Sequence, residues 1–172
     1  LLKEHTVDAL AEALEAGWAA ASRDDPEPTV SYFRDLLRRY PDEPRALLGY
    51  AGALDFAGRE PEAAPVYQQA LEAGLDGDDL RRCLIQYGST LRNIGQVDQA
   101  VAMLRQAARQ FPGQDSVQAF LALALATAGR PGEAVALLLN LALDRIDSDD
   151  LRDYQVPLRY YATELADQPG VN

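Results

Sequence analysis

Hydrophobic positions along the chain recur at helical spacing, and the spacing itself recurs. Three stretches align: Tyr50-Ala51, Gly58, Ala63, Tyr67, Ala70; then Tyr87-Gly88, Gly95, Ala100, Leu104, Ala107; then Leu121-Ala122, Gly129, Ala134, Leu138, Leu141. In each, a small residue stands seven before a glycine, and an alanine follows that glycine by five. Further core positions follow at nine and twelve. Gly95 and Gly129 are 34 residues apart, and the 37 from Gly58 to Gly95 place a three-residue excess in the loop at Asp76-Gly77-Asp78-Asp79. Projected backwards, the pattern finds a weaker fourth copy in Gly17, Asp24, Thr29, Phe33, Leu36 and Pro41. A fixed period of this length marks a repeat architecture.

Each copy predicts two antiparallel helices. The glycines end the first helix, where a left-handed residue is commonly required. Pro61 and Pro131 open the second, where a missing N–H costs little. Gly17, Ala51, Gly88 and Ala122 on first helices, and Ala63, Ala100 and Ala134 on second ones, allow close crossing. Phe33, Tyr67, Leu104 and Leu138 then fill the space between repeats. Pro65 falls about one turn inside a helix and is expected to kink or loosen it.

After the last copy, Ser148-Asp149-Asp150 reads as an N-cap with acids in the first turn. Tyr154, Leu158, Tyr161 and Leu165 follow as one apolar stripe, with Pro157 expected to bend or divide that helix. A terminal helix covering the last repeat is the expected reading, since the end of a repeat array needs capping.

These residues at this period resemble the tetratricopeptide repeat (TPR) family. The resemblance implies an all-α fold: a right-handed superhelical solenoid of stacked helix pairs, with a C-terminal capping helix. It divides a single domain, 1–172, into repeats at about 10–43, 44–77, 81–114 and 115–148 and a helix at about 149–167. Asp24 in place of a turn glycine, and Leu36 and Leu141 where alanine is usual, are its departures. The run from Phe120 through Gly129-Arg130 to Leu137-Leu138-Leu139, followed by Tyr160-Tyr161-Ala162, is similar to small stand-alone bacterial members. That similarity implies a homodimer and a cytoplasmic place.

Composition agrees with helix and narrows chemistry. The 29 alanines and 26 leucines supply about a third of the 172 residues. Apolar mass of that kind favours helix over sheet. A net charge of −11 disfavours nucleic acid and anionic membrane as partners. No apolar run approaches the ~18 residues of a membrane span, and a removed leader before Leu1 stays open. One cysteine and one histidine leave no disulfide framework, metal centre or triad. Cys83, beside Arg81 and Arg82, reads as an ordinary buried thiol, with an activated one as the lesser alternative. The acidic clusters at 76–79 and 147–150 lack a calcium loop's twelfth-position Glu, having Tyr87 and Leu158 there. They read as loops and helix starts. No cofactor is implied. An enzyme would have to use carboxylates alone, with Glu12/Glu15 and Glu60/Glu62 candidates only by residue type.

The remaining site is geometric. In the TPR family the first helices line a concave groove that holds peptides. Transferred by spacing, that groove takes Leu14, Trp18 and Ala21, then Arg45, Leu48 and Phe56. It continues with Arg82, Ile85, Gln86, Ser89, Arg92 and Asn93, and ends with Phe120, Leu123 and Thr127. Arginines at its middle, inside an acidic chain, favour an acidic segment or a C-terminal carboxylate as partner. The alternative is that Arg82 and Arg92 simply pair with neighbouring acids. The Lys/Asn clamp of chaperone-adaptor members is absent, since Leu48, Gly52 and Gln86 stand at its places. Self-association is expected through Tyr154, Leu158 and Tyr161, or through Trp18 and Phe56.

Overall fold

Glycines set where the chain reverses. The computed structural model describes residues 2–168, and side chains from residue 9 onward; His5 lies outside the described side chains. Among the described residues the chain forms nine helices and no strand: α1 (Leu2–Ala19), α2 (Glu27–Arg39), α3 (Pro44–Phe56), α4 (Glu60–Glu72), α5 (Gly77–Asn93), α6 (Val97–Gln110), α7 (Asp115–Thr127), α8 (Pro131–Arg145) and α9 (Asp149–Ala166). The fold is all-α.

Gly58, Gly95 and Gly129 adopt φ of 72°, 82° and 71°. In each turn the next residue's N–H reaches back to close the helix: Arg59 to Leu54, Gln96 to Leu91 and Arg130 to Leu125, at 2.8–2.9 Å. Satisfying a terminal carbonyl in this way needs the left-handed conformation, which costs other residues energy. Asp24 has no such φ, and the connection between α1 and α2 is longer, residues 20–26.

The small residues sit where helices cross. Ala51, Ala63, Ala100 and Ala122 are buried. A Cβ added at Gly17 would lie 2.5 Å from Tyr32 and 2.8 Å from Phe33. Pro65 does not break α4, which runs unbroken through it. The proline is exposed, so water can satisfy the carbonyl that lost its N–H donor. Pro157 likewise leaves α9 undivided. The predicted N-cap forms, with Ser148 Oγ accepting from Leu151 N.

The chain divides into two compact units, residues 1–90 and 91–172, with the boundary inside α5. In the first unit, α1, α2 and α3 pack on one another and α4 packs on α3. Tyr67 is fully buried against Tyr87, ring centroids 5.9 Å apart, and Cys83 Sγ lies 3.8 Å from the Tyr67 carbonyl. In the second unit α6 packs on α7, α7 on α8, and α8 on α9.

One expectation about the core is corrected. Phe33, Tyr67 and Leu104 are wholly buried, but Leu138, which holds the same place in α8, is 44% exposed. The position three earlier behaves alike: Val30, Ala64 and Val101 are buried, whereas Val135 is 50% exposed. The cause is where α9 lands. It covers Ala136, Asn140 and Leu143, and Arg159 donates to Asn140 at 3.3 Å and to Asp144 at 2.6 Å. At the other end of this contact, a Cβ at Gly132 would strike the Leu165 carbonyl. The matching residues of α4 and α6 (Pro65, Gln69, Glu72; Ala102, Gln106, Arg109) all face solvent. The capping helix therefore closes the outward face of α8 and leaves open the face buried in every earlier copy.

Candidate functional site

Within the first unit, α1, α3 and α5 enclose a groove of about 420 Å³. Leu14, Trp18, Leu48 and Gly49 give it an apolar wall; Glu15, Arg45, Asp79, Arg82 and Gln86 give it a polar one. The wall residues come from first helices only; α2 and α4 place Phe33, Leu36 and Tyr67 in the core instead.

Asp79 organises the polar side. Its Oδ2 lies 3.3 Å from Arg45 Nε, and its Oδ1 lies 3.6 Å from Arg82 Nη1. One carboxylate thus faces two guanidiniums. The Arg45 Nε hydrogen is buried with no hydrogen-bond acceptor, since Asp79 stands out of line with it. Glu15 on the same groove balances the formal charge, so the arginine face, rather than net positive charge, gives the groove its direction.

Trp18 forms the floor at one end. Its ring lies 4.6 Å from Phe33 and 6.1 Å from Phe56, and Arg23 sits 4.8 Å over Phe56. Phe56 supports Trp18 and is not part of the lining. Gly52 keeps that floor open, because a Cβ there would lie 3.1 Å from the indole.

Of the residues expected in a groove, Leu14, Trp18, Arg45, Leu48, Arg82 and Gln86 converge on this one. Leu48 and Ile85 are largely buried, Leu48 with an edge on the groove. Ser89 is half-buried on α5 outside the lining, and Ala21 lies beyond the end of α1. Arg92 and Asn93 belong to the second unit, where Arg92 Nη2 donates to Asn93 Oδ1 at 3.0 Å. Phe120 is half-buried and Leu123 exposed on α7, where Thr127 Oγ1 donates to the Leu123 carbonyl. Tyr154 and Tyr161 are exposed on α9, while Leu158 turns partly inward beside Ala162.

Asp79 and Gly49 were not anticipated. The i,i+3 spacing of Asp79 and Arg82 is the signal that could have placed the acid beside the arginine. Glu15, a candidate by residue type alone, lines the groove. Glu62 instead holds Arg59 through two bonds of 2.6 and 2.7 Å, and that guanidinium lowers its pKa. Burial pushes the Cys83 thiol up to about 12, so it stays protonated and is not an activated nucleophile. Asp55 is shifted upward by burial, partly offset by hydrogen bonds with Thr90 and Tyr67. Among the described residues, no group of three His, Cys, Asp or Glu could hold a metal ion, and no helix is long and apolar enough to cross a membrane.

This construction of helix pairs with glycine turns and a first-helix groove defines a class. The chain belongs to the tetratricopeptide repeat family: a family model described as "Tetratrico peptide repeat" matches residues 44–165, and a second, "Tetratricopeptide repeat", matches residues 11–43. Two solved structures share the fold. One, described as "MamA RS-1 ArsTM double mutant", is 18% identical with a TM-score of 0.61, covering 92% of this chain and 93% of that one. The other, described as "Functional Characterization of Pseudomonas Aeruginosa pilF", is 22% identical with a TM-score of 0.60, covering 96% of this chain and 78% of that one. No curated protein matches the chain in sequence. Repeats of this family are in general non-catalytic scaffolds, and the chain is a protein–protein interaction module.

Proposed function

We propose that the first unit's groove captures a short peptide segment that carries a carboxylate next to an apolar side chain. The single observation that carries this reading is the pairing of two walls in one cavity. Trp18, Leu14 and Leu48 offer an apolar surface, and opposite it Arg45 and Arg82 share one acid. A ligand carboxylate can accept from the guanidiniums of Arg45 and Arg82, whose side chains are 33% and 50% exposed, in charge-assisted bonds, which are stronger than neutral ones. The acidic side chain of a partner or its terminal carboxylate both meet that requirement. The reading is non-catalytic: Cys83 is protonated and buried, and Glu62 is held by Arg59. Strong negative charge over the rest of the chain argues against nucleic acid as ligand.

A test is an array of short peptides that place Asp, Glu or a free C-terminus beside a leucine or phenylalanine, probed with the purified chain. Captured peptides should bind an Arg45→Gln/Arg82→Gln variant about tenfold or more weakly, the scale of one lost charge-assisted bond. Equal capture by the folded double variant would refute the groove reading.

Self-association is a second reading. Eight large apolar side chains are exposed among the described residues, and all lie between Leu123 and Tyr161. Tyr154 and Tyr161 on α9 are the surface first suggested by their spacing, and they remain candidates for it.

A further inference from the structure

The open face of α8 has a definite chemistry. Pro131, Val135, Leu138 and Ala142 stand at i, i+4, i+7 and i+11, which aligns them along one side of the helix. Val135 and Leu138 are 50% and 44% exposed, and Leu123 on the adjoining α7 is 47% exposed. In the earlier copies the positions of Val135 and Leu138 are buried against a following helix, so they have the shape and composition of a packing face. Charge is also missing here. From Ser116 to Leu143 the only charged residues are Arg130 and Glu133, and these pair with each other through Arg130 Nη2 and Glu133 Oε2 at 2.7 Å. The corresponding stretch 45–72 carries Arg45, Asp55, Arg59, Glu60, Glu62 and Glu72, and 82–109 carries five charges.

We propose that this α8 face docks on the same face of a second copy of the chain, giving a two-fold dimer. Two observations select the occupant. Copies of a chain with net charge −11 repel one another, and residues 116–143 are the stretch where they can approach with the mutually paired Arg130 and Glu133 as the only charges; depletion of charge is the mark of an interface core. An association between unlike faces would need a second apolar surface. None of the large apolar side chains described in the first unit is exposed, and the others exposed in the second, Ile146, Tyr154, Val156, Tyr160 and Tyr161, stand among the charged residues of the stretch 144–164; the uncharged apolar counterpart of this face is therefore the same face of another copy, the condition for a two-fold interface. The inference rests on the self-association reading and moves it from the α9 tyrosines to Val135 and Leu138.

The experiment uses the full chain in light scattering and sedimentation at about 1–100 µM, spanning the dissociation constants typical of modest interfaces. The native chain should be a dimer. Leu138→Glu should weaken it by at least about tenfold, as burying an unpaired charge at an interface does, and Tyr161→Glu should leave it unchanged. Leu138→Cys gives an independent readout, because Cys83 is buried and silent. A short bis-maleimide should crosslink that variant into dimers and should leave Ala102→Cys, on the exposed side of α6, monomeric. If Leu138→Glu loses its helical circular dichroism, the crosslink decides. A native chain that is monomeric throughout would overturn self-association and this face together. A native dimer that survives Leu138→Glu, gives no Leu138→Cys crosslink and is broken by Tyr161→Glu would overturn the α8 face alone.

Discussion

The two units are built from the same helix pair and finish it differently. In the first, every large apolar side chain described is at least partly covered, and charge is spent around a groove: Arg45, Asp79 and Arg82 face Trp18 and Leu14. In the second, the stretch from Ser116 to Leu143 carries only the charges of Arg130 and Glu133, and Leu123, Val135 and Leu138 are open to solvent. Repetition fixes the pairing of helices. What each copy does next is set by which neighbour covers it and by which residues occupy positions that packing leaves free.

The sharpest way to break this comparison is to truncate the same position in two copies. Leu104→Ala removes a fully buried side chain and should cost about 2–5 kcal/mol in urea unfolding. Leu138→Ala, at the equivalent but half-exposed place, should cost less than about 1 kcal/mol when measured on the monomer. Equal losses would mean that α8 is covered as its predecessors are. A second prediction concerns why it is not. Gly132→Ala puts a Cβ against the Leu165 carbonyl and should cost about 1–3 kcal/mol, with α9 loosened in hydrogen exchange. An unchanged melting temperature would place α9 elsewhere.

A smaller effect distinguishes the units by pH. Asp55, in the first unit, has a pKa raised by burial. The folded chain therefore holds that proton more tightly than the unfolded chain, so stability is lost as pH rises through the raised pKa. Asp55→Asn should gain stability relative to the native chain as pH is taken from acid to neutral, read as a divergence of melting temperatures. A difference independent of pH would deny the buried carboxylate that role.

Much of this was legible in the sequence because it depends on local geometry. Gly58, Gly95 and Gly129 are needed where φ is positive, and Ala63 and Ala100 where backbones approach; both follow from spacing alone. The Ser148 cap is equally local. The fate of Leu138 was not legible, since it depends on which face of α8 receives α9, and Gly132 and Ala136 decide that by their size. The apolar stripe of α9 reads from the sequence as Tyr154, Leu158, Tyr161 and Leu165; Leu158 and Leu165 are half-buried, but Tyr154 and Tyr161 are exposed and the packed side runs through Leu151, Gln155, Leu158 and Ala162, a rotation too small for periodicity to resolve. In the groove, Leu14, Trp18, Arg45, Arg82 and Gln86 were found by transfer of spacing. Asp79 was read only as a helix-start acid, because its meeting with Arg45 crosses from α5 to α3.

Trp18 is the sole tryptophan and lies in the groove, so its fluorescence reports occupancy directly. Titration with a tryptophan-free peptide captured from the array should give a saturable change in the native chain. The same change should persist in Leu138→Glu, whose alteration lies in the other unit, and should fall about tenfold or more in affinity in Arg45→Gln/Arg82→Gln. An unaltered titration in that double variant would contradict the account.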